Sequence, residues 1–225
     1  MKPRSQLAES RSYNNVPLEL VEHDGRHYLE TGGRQITAAH LGHPEMELLT
    51  LLSRPFRPAR KPRLIFLGLG FGQALAAARK ALPQEKAEFI IFPEGPALLD
   101  QYQELIPQIV DLDDERLQFE KGGPFQQISG SFAGSQAIVL DLDALEMIAP
   151  PSWSISSEKV LYNYSETLKT GALLGLVVTR PRKELEKALR KVGFEVVTEV
   201  VPLSVKSKKS RTLYLARKGF YERGR

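Results

Sequence analysis

The stretch Arg63-Leu-Ile-Phe-Leu-Gly-Leu-Gly-Phe-Gly72 decides the fold. An apolar run, Leu64 to Leu67, ends in glycines at alternate positions, Gly68, Gly70 and Gly72. A helical pattern, Gln73-Ala-Leu-Ala-Ala-Ala-Arg-Lys-Ala-Leu82, follows at once. Strand, glycine turn and helix in this order form the entrance to a nucleotide or nucleoside pocket in an α/β sheet. Glycine lacks Cβ, so the chain turns tightly and lets a ligand approach the backbone. The helix behind the turn aims unpaired N–H groups at that ligand.

Working outward, strands and helices alternate. Phe89–Phe92, Arg116–Phe119 and Ala137–Leu140 read as strands, and Pro96–Ile106 as a helix with Leu98, Leu99, Tyr102, Leu105 and Ile106 on one face. Ser156–Thr170 reads as a helix ended by Gly171, then Leu173–Thr179 as a strand and Arg182–Val192 as an amphipathic helix. Phe194–Val201 and Thr212–Ala216 close the chain as two consecutive strands, an antiparallel edge hairpin. The predicted fold class is α/β, a Rossmann-like, doubly wound and mostly parallel sheet over residues 63–218.

Upstream, Leu18–Val21, Arg26–Glu30 and Arg34–Ala38 are separated by Asp24-Gly25 and Gly32-Gly33, which are hairpin signals. Residues 15–53 therefore read as a small β-meander with a helix that starts near Pro44, where a missing N–H costs nothing. Residues 54–62, rich in proline and arginine, read as a linker, and 1–14 and 219–225 as polar tails, the first disordered.

The 225 residues are 42% hydrophobic, enough for one sizeable core. No apolar run reaches the roughly 18 residues that span a bilayer, and no apolar signal core follows the basic N-terminus, so the expected location is cytoplasmic, with no membrane partner. Cysteine is absent, which removes disulfides, thiolate ligands and cysteine nucleophiles. The four histidines, His23, His27, His40 and His43, lack metal-site spacing, so no metal is expected. The net charge of +4 is partly concentrated in Lys206-Ser-Lys-Lys-Ser-Arg211, which reads either as a solvated loop or as a phosphate clamp for nucleic acid.

The glycine spacing separates two pocket types. A dinucleotide fingerprint needs glycine at 73, where this chain has Gln73. Gly-x-Gly-x-Gly instead suits S-adenosylmethionine and related nucleosides. Ligands in such sheets lie beyond the carboxyl ends of the strands. Glu94, just after the second strand, is the candidate for a ribose diol. Gly68, Gly70, Gly72 and Gln73 are the candidates that line the nucleoside. Asp141 and Asp143, two apart at the end of the Ala137–Leu140 strand, share a face and suit a general base or a cationic amine. Trp153 either walls the substrate pocket or anchors its loop to the core.

These residues resemble the spermidine synthase (polyamine aminopropyltransferase) branch of the class I S-adenosylmethionine-dependent transferases. The resemblance runs from about Pro17 to Lys218. His43-Pro-Glu45-Met46 resembles that family's Tyr-His-Glu-Met, Arg63–Gly72 its first nucleoside motif, and Asp114-Glu-Arg116-Leu its Asp-Pro-Arg-Val. Ile138-Val-Leu-Asp141 resembles the strand whose last aspartate deprotonates the attacking amine, and Leu161-Tyr162 the segment that opens the next helix. The resemblance implies S-adenosylmethionine or its decarboxylated form as cofactor, an amine acceptor near Tyr162 and Trp153, and a homodimer. Departures cluster at the nucleoside: Phe71, Pro93 and Gly123 stand where the family carries acids. Three readings stay open: an aminopropyl- or methyltransferase, a degenerate relative acting as a binding or scaffolding protein, and a nucleic-acid methyltransferase.

Overall fold

The computed structural model describes residues 4–97, 111–128, 130–204 and 207–219. The expected helix face from Leu98 to Ile106, Lys206 of the basic loop and the tail from 220 lie outside the described residues.

Two sheets organise the chain. The first is an antiparallel meander of β1 (Ser5–Arg11), β2 (Pro17–His23), β3 (Arg26–Thr31) and β4 (Arg34–Ala38), in that order. Its existence departs from the sequence expectation at one end: the stretch read as a disordered tail supplies β1, paired antiparallel to β2 from Ser5↔Glu22 to Arg11↔Pro17. Polar composition hid it. Only Ala8 and Ser10 turn partly inward, so the strand has no apolar alternation to read and is held by its backbone ladder.

The helix α1 (His43–Ser53) leads out of the meander, with Pro44 in its first turn, and buries Leu48, Leu49 and Leu52. The second sheet follows: β5 (Arg63–Leu67), β6 (Glu88–Phe92), β7 (Leu117–Phe119), β8 (Ser135–Asp141), β9 (Leu168–Val178), β10 (Phe194–Pro202) and β11 (Ser210–Lys218). Its spatial order is β10-β11-β9-β8-β5-β6-β7. The central strands β7, β6, β5, β8 and β9 are parallel, and β11 and β10 run antiparallel to their neighbours, the expected edge hairpin. Leu64 to Leu67, Phe89 to Phe92 and Ala137 to Leu140 are all buried, as strands covered on both faces must be.

Between strands stand α2 (Gln73–Ala81), α3 (Leu142–Ile148), α4 (Glu158–Thr167) and α5 (Lys183–Lys191). α1 packs on α2, β9 and β11, and α4 on α5 and β9. At Gly175 an added Cβ would lie 2.5 Å from Leu52 Cδ1, so the glycine lets α1 sit directly on β9. The expected helix over 156–170 is shorter. α4 ends at Thr167 and β9 begins at Leu168, with Gly171 inside the strand rather than behind the helix. A register shift between Ser135 and Ala137 of β8 absorbs the irregular start of β9.

The order in which strands are laid down reverses at β5, whose neighbours β6 and β8 belong to opposite halves of the winding. The crevice beyond the carboxyl ends of β5 and β8 is thus the topological switch point, where such sheets bind ligands.

Candidate functional site

The switch point gathers most of the residues singled out from the sequence. Gly68, Gly70 and Gly72 have φ of 93°, 54° and 81°, values that side chains with Cβ rarely adopt. Gly72 caps α2 in the left-handed conformation. The loop between β5 and α2 is therefore built on bare backbone, as the spacing predicts.

Its amides are already engaged. Leu69 N–H donates to Glu94 Oε2 at 3.1 Å and Gly70 N–H to Glu94 Oε1 at 2.8 Å. Glu94 is 3% exposed. Burial pushes its carboxyl above the ordinary range, and the two loop amides offset that only in part. A Cβ added at Gly68 would stand 3.1 Å from Glu94 Oε1, so this glycine makes room for the carboxylate itself. Gln73 turns away to donate from Nε2 to Ala39 O at 2.5 Å, which ties α2 to the connection between β4 and α1. Phe71 is 1% exposed and packs in the core.

At the end of β8, Asp141 caps α3 by accepting from Ala144 N–H at 3.2 Å. Short helix α3 was not anticipated; its Asp141-Leu-Asp143 start was read only as a strand end. Arg211, at the start of β11, grips Asp141 with both ends of its guanidinium: Nη1 to Oδ2 and Nη2 to Oδ1, each 2.6 Å. Nη1 also reaches Glu45 Oε1 at 2.7 Å, and Nη2 stands 3.4 Å from Asp143 Oδ2. Sequence alone placed Arg211 in a solvated or phosphate-binding loop. It turns inward instead, because three carboxylates converge where β11 begins.

Each charge answers to its surroundings. Burial, then repulsion from Asp141, pushes Glu45 up to about 8 against the pull of Arg211. Burial also works against ionised Asp143, but Thr179 and the Arg211 and Arg182 guanidiniums outweigh it and hold the acid below the usual range. Arg182 bonds Asp143 and, at 2.6 Å, Glu146 Oε1. Burial opposes charge on Arg211 too, yet the carboxylates around it more than compensate and keep it firmly protonated.

The meander closes the remaining side. Tyr13 N–H donates to Glu94 O at 3.4 Å, and Asn14 Nδ2 to Ile148 O at 3.0 Å, so the turn between β1 and β2 bridges the loop after β6 to the end of α3. A Cβ at Gly123 would fall 2.5 Å from the Tyr13 ring, which therefore covers the position where the resembled family carries an acid. The space left among Gly68, Gly70, Gln73, Glu94, Asp141 and Glu45 is about 50 Å³. That holds a few waters, whereas small-molecule pockets run to roughly 300–1,000 Å³. The loop amides Leu69 and Gly70 are thus spent on Glu94, and the remaining volume, as folded, does not hold a nucleoside.

Trp153 and Tyr162 are not brought to this mouth. They line a separate groove of about 960 Å³ that shares no lining residue with the cavity at Asp141. Trp153 packs edge-to-face on Phe125, ring centres 5.2 Å apart, and against the core, as a loop anchor does. Tyr162 is 52% exposed on α4. Missed in the sequence were Arg211 as a partner for Asp141, Glu45 as a wall and Tyr13 as a cover. For Glu45 the signal was its place in the His43–Met46 segment.

By sequence the chain matches no family profile and no curated protein. By structure it is similar to spermidine synthase from Thermotoga maritima, with a TM-score of 0.66, 13% identity, and 96% of this chain and 74% of that chain covered. It is similar to a probable spermidine synthase from Corynebacterium glutamicum, with a TM-score of 0.61 and 14% identity over 99% of this chain and 82% of that one. A precorrin-6y C5,15-methyltransferase from Geobacter metallireducens aligns with a TM-score of 0.55 and 12% identity, over 78% of this chain and 87% of that chain. Identities this low speak for architecture alone, and the chain shares the Rossmann-like fold of these structures.

Proposed function

We propose that this chain is a transferase of the aminopropyl or methyl type that takes an adenosyl sulfonium nucleoside at the carboxyl edge of β5, β6 and β8, with an amine as acceptor. The observation that carries the reading is the meeting of the glycine-loop amides, Glu94 and Asp141 around one cavity at the topological switch point. In an opened state the loop amides and Glu94 would hold the nucleoside, and Asp141 would hold the cationic amine in place of Arg211. Glu94, one residue beyond Pro93, is the acid that reaches the loop, which favours it as the ribose ligand.

A second reading, a binding or scaffolding protein that keeps the fold without the chemistry, is favoured by a specific observation. Glu94 already satisfies the loop amides, Arg211 already satisfies Asp141, and only about 50 Å³ remains. The nucleic-acid methyltransferase reading loses one residue of its phosphate clamp, because Arg211 faces inward, while Lys208 and Lys209 stay exposed.

Calorimetric titration with methylthioadenosine and S-adenosylhomocysteine tests the proposal. Heat with the first selects aminopropyl transfer, and heat with the second selects methyl transfer. No heat with either, on the folded protein and on folded Arg211→Gln alike, selects the second reading.

A further inference from the structure

The groove that holds Trp153 and Tyr162 has the size of a small-molecule pocket, about 960 Å³, and lies apart from the cavity at Asp141. Trp153 and Phe125, packed edge to face, give it an apolar wall, and the half-exposed ring of Tyr162 on α4 gives a second. Five charged side chains line it among the described residues: Lys159, Lys191 and Lys218 against Glu158 and Glu166. Lys191 pairs with Glu158, and the balance is one positive charge.

Hydrogen-bond donors without acceptors collect along this groove. Asn163 accepts from Ile128 N–H through Oδ1 at 3.2 Å, which fixes the sense of its amide. Its Nδ2 is then a buried donor with no partner. Tyr164 is 2% exposed, and its hydroxyl also lacks a hydrogen-bond partner. The polar group beside it is the Trp153 indole, which only donates, so the hydroxyl proton has no acceptor. Burial pushes the Tyr164 hydroxyl up and keeps that proton in place. The first turn of α4 borders the same groove, and Ser157 at its N-cap makes no side-chain capping bond. Native folds rarely leave buried donors orphaned. Two adjacent ones beside an uncapped helix start ask for acceptor atoms from outside the chain.

We infer that this groove is a second binding site, for a small aromatic carboxylic acid whose oxygens accept from Asn163 Nδ2 and the Tyr164 hydroxyl and whose ring lies against the Trp153–Phe125 wall. A carboxylate suits the groove better than a neutral carbonyl does, because the lining carries surplus positive charge and the start of α4 is the positive end of its dipole. The inference does not depend on the proposed function, since the two cavities share no lining residue.

Trp153 is the chain's single tryptophan, so its fluorescence reports from this groove. Titrated into the full chain, phenylacetate is expected to change that emission saturably, while 2-phenylethylammonium, with the same ring and no acceptor, is not. Asn163→Asp keeps an acceptor for Ile128 N–H and turns the orphaned donor into a second acceptor, and it should weaken phenylacetate binding at least about tenfold. Tyr164→Phe removes only a hydroxyl that nothing holds. It should fold as the unmodified chain does and bind phenylacetate about fivefold more weakly. No saturable response in the folded unmodified chain, binding undiminished in both variants, or an ammonium that binds as well as the acid overturns the site. Competition between methylthioadenosine and phenylacetate would overturn its separateness from the cavity at Asp141.

Discussion

Two strands of one sheet, β6 and β8, each deliver a carboxylate to the same mouth, and the two are satisfied by opposite means. Glu94 beyond β6 is held by backbone amides of the loop it faces, with no cation among its hydrogen-bond partners. Asp141 at the end of β8 is held by a side chain from a hairpin at the sheet's edge. The β6 acid is thus satisfied by the fold's own backbone, and the β8 acid chiefly by a side-chain charge, the kind of partner that another cation can replace.

The sharpest way to break this contrast is Glu94→Ala. It strands two buried amides, Leu69 and Gly70, and is expected to cost about 3 kcal/mol in denaturant unfolding. A loss under about 1 kcal/mol would mean that the loop does not depend on this carboxylate. Removal of Arg211 is expected to cost a comparable amount, about 3 kcal/mol, because it leaves Asp141 partly buried beside Glu45 and Asp143 without its guanidinium.

Acidity sharpens the contrast. Glu45 is pushed from 4.5 to about 8 in the folded protein. Between those values the native state keeps a proton that the unfolded chain has released. The stability this contributes is complete below 4.5 and is lost as pH rises through 8. Glu94, raised by burial, acts in the same direction. Unfolding midpoints of Glu45→Gln measured at about pH 5 and pH 8 should differ less than those of the unmodified protein. An equal difference would place Glu45 in an ordinary solvated setting. The smallest effect belongs to the far groove. Tyr162→Ala is expected to change stability by under about 0.5 kcal/mol and to leave nucleoside titration untouched. Lost binding would bring α4 back into the site.

The sheet was legible because its inner strands β5, β6 and β8 carry unbroken apolar runs and the glycines after β5 fall at positions that demand positive φ. Glu94 was legible as an acid at a strand end; the strand spacing expected of Asp141 and Asp143 fails, because β8 ends at Asp141 and Asp143 stands in the first turn of α3. Arg211 was not, since a basic residue in a basic stretch carries no sign of which way it points. Only the register of β11 against β9 brings it to Asp141, more than 60 residues earlier in the chain. β1 and the Tyr13 turn were hidden for a different reason: they are held by backbone pairing and by contact with glycines at 95 and 123, where adjacent Cβ atoms would clash. Neither interaction leaves an apolar pattern in the sequence. Trp153 was drawn to the site by proximity in sequence to Asp141 and Tyr162 by the resemblance of Leu161-Tyr162, but both line the separate groove instead.

The most direct measurement is calorimetric titration of methylthioadenosine into the unmodified protein and into Arg211→Gln. A nucleoside site in which Arg211 stands in the place of the cationic amine predicts binding by the variant at least about tenfold tighter than by the unmodified chain, a gain of about 1.4 kcal/mol. No heat from either protein, both folded, would contradict a nucleoside site at the glycine loop and leave only the fold.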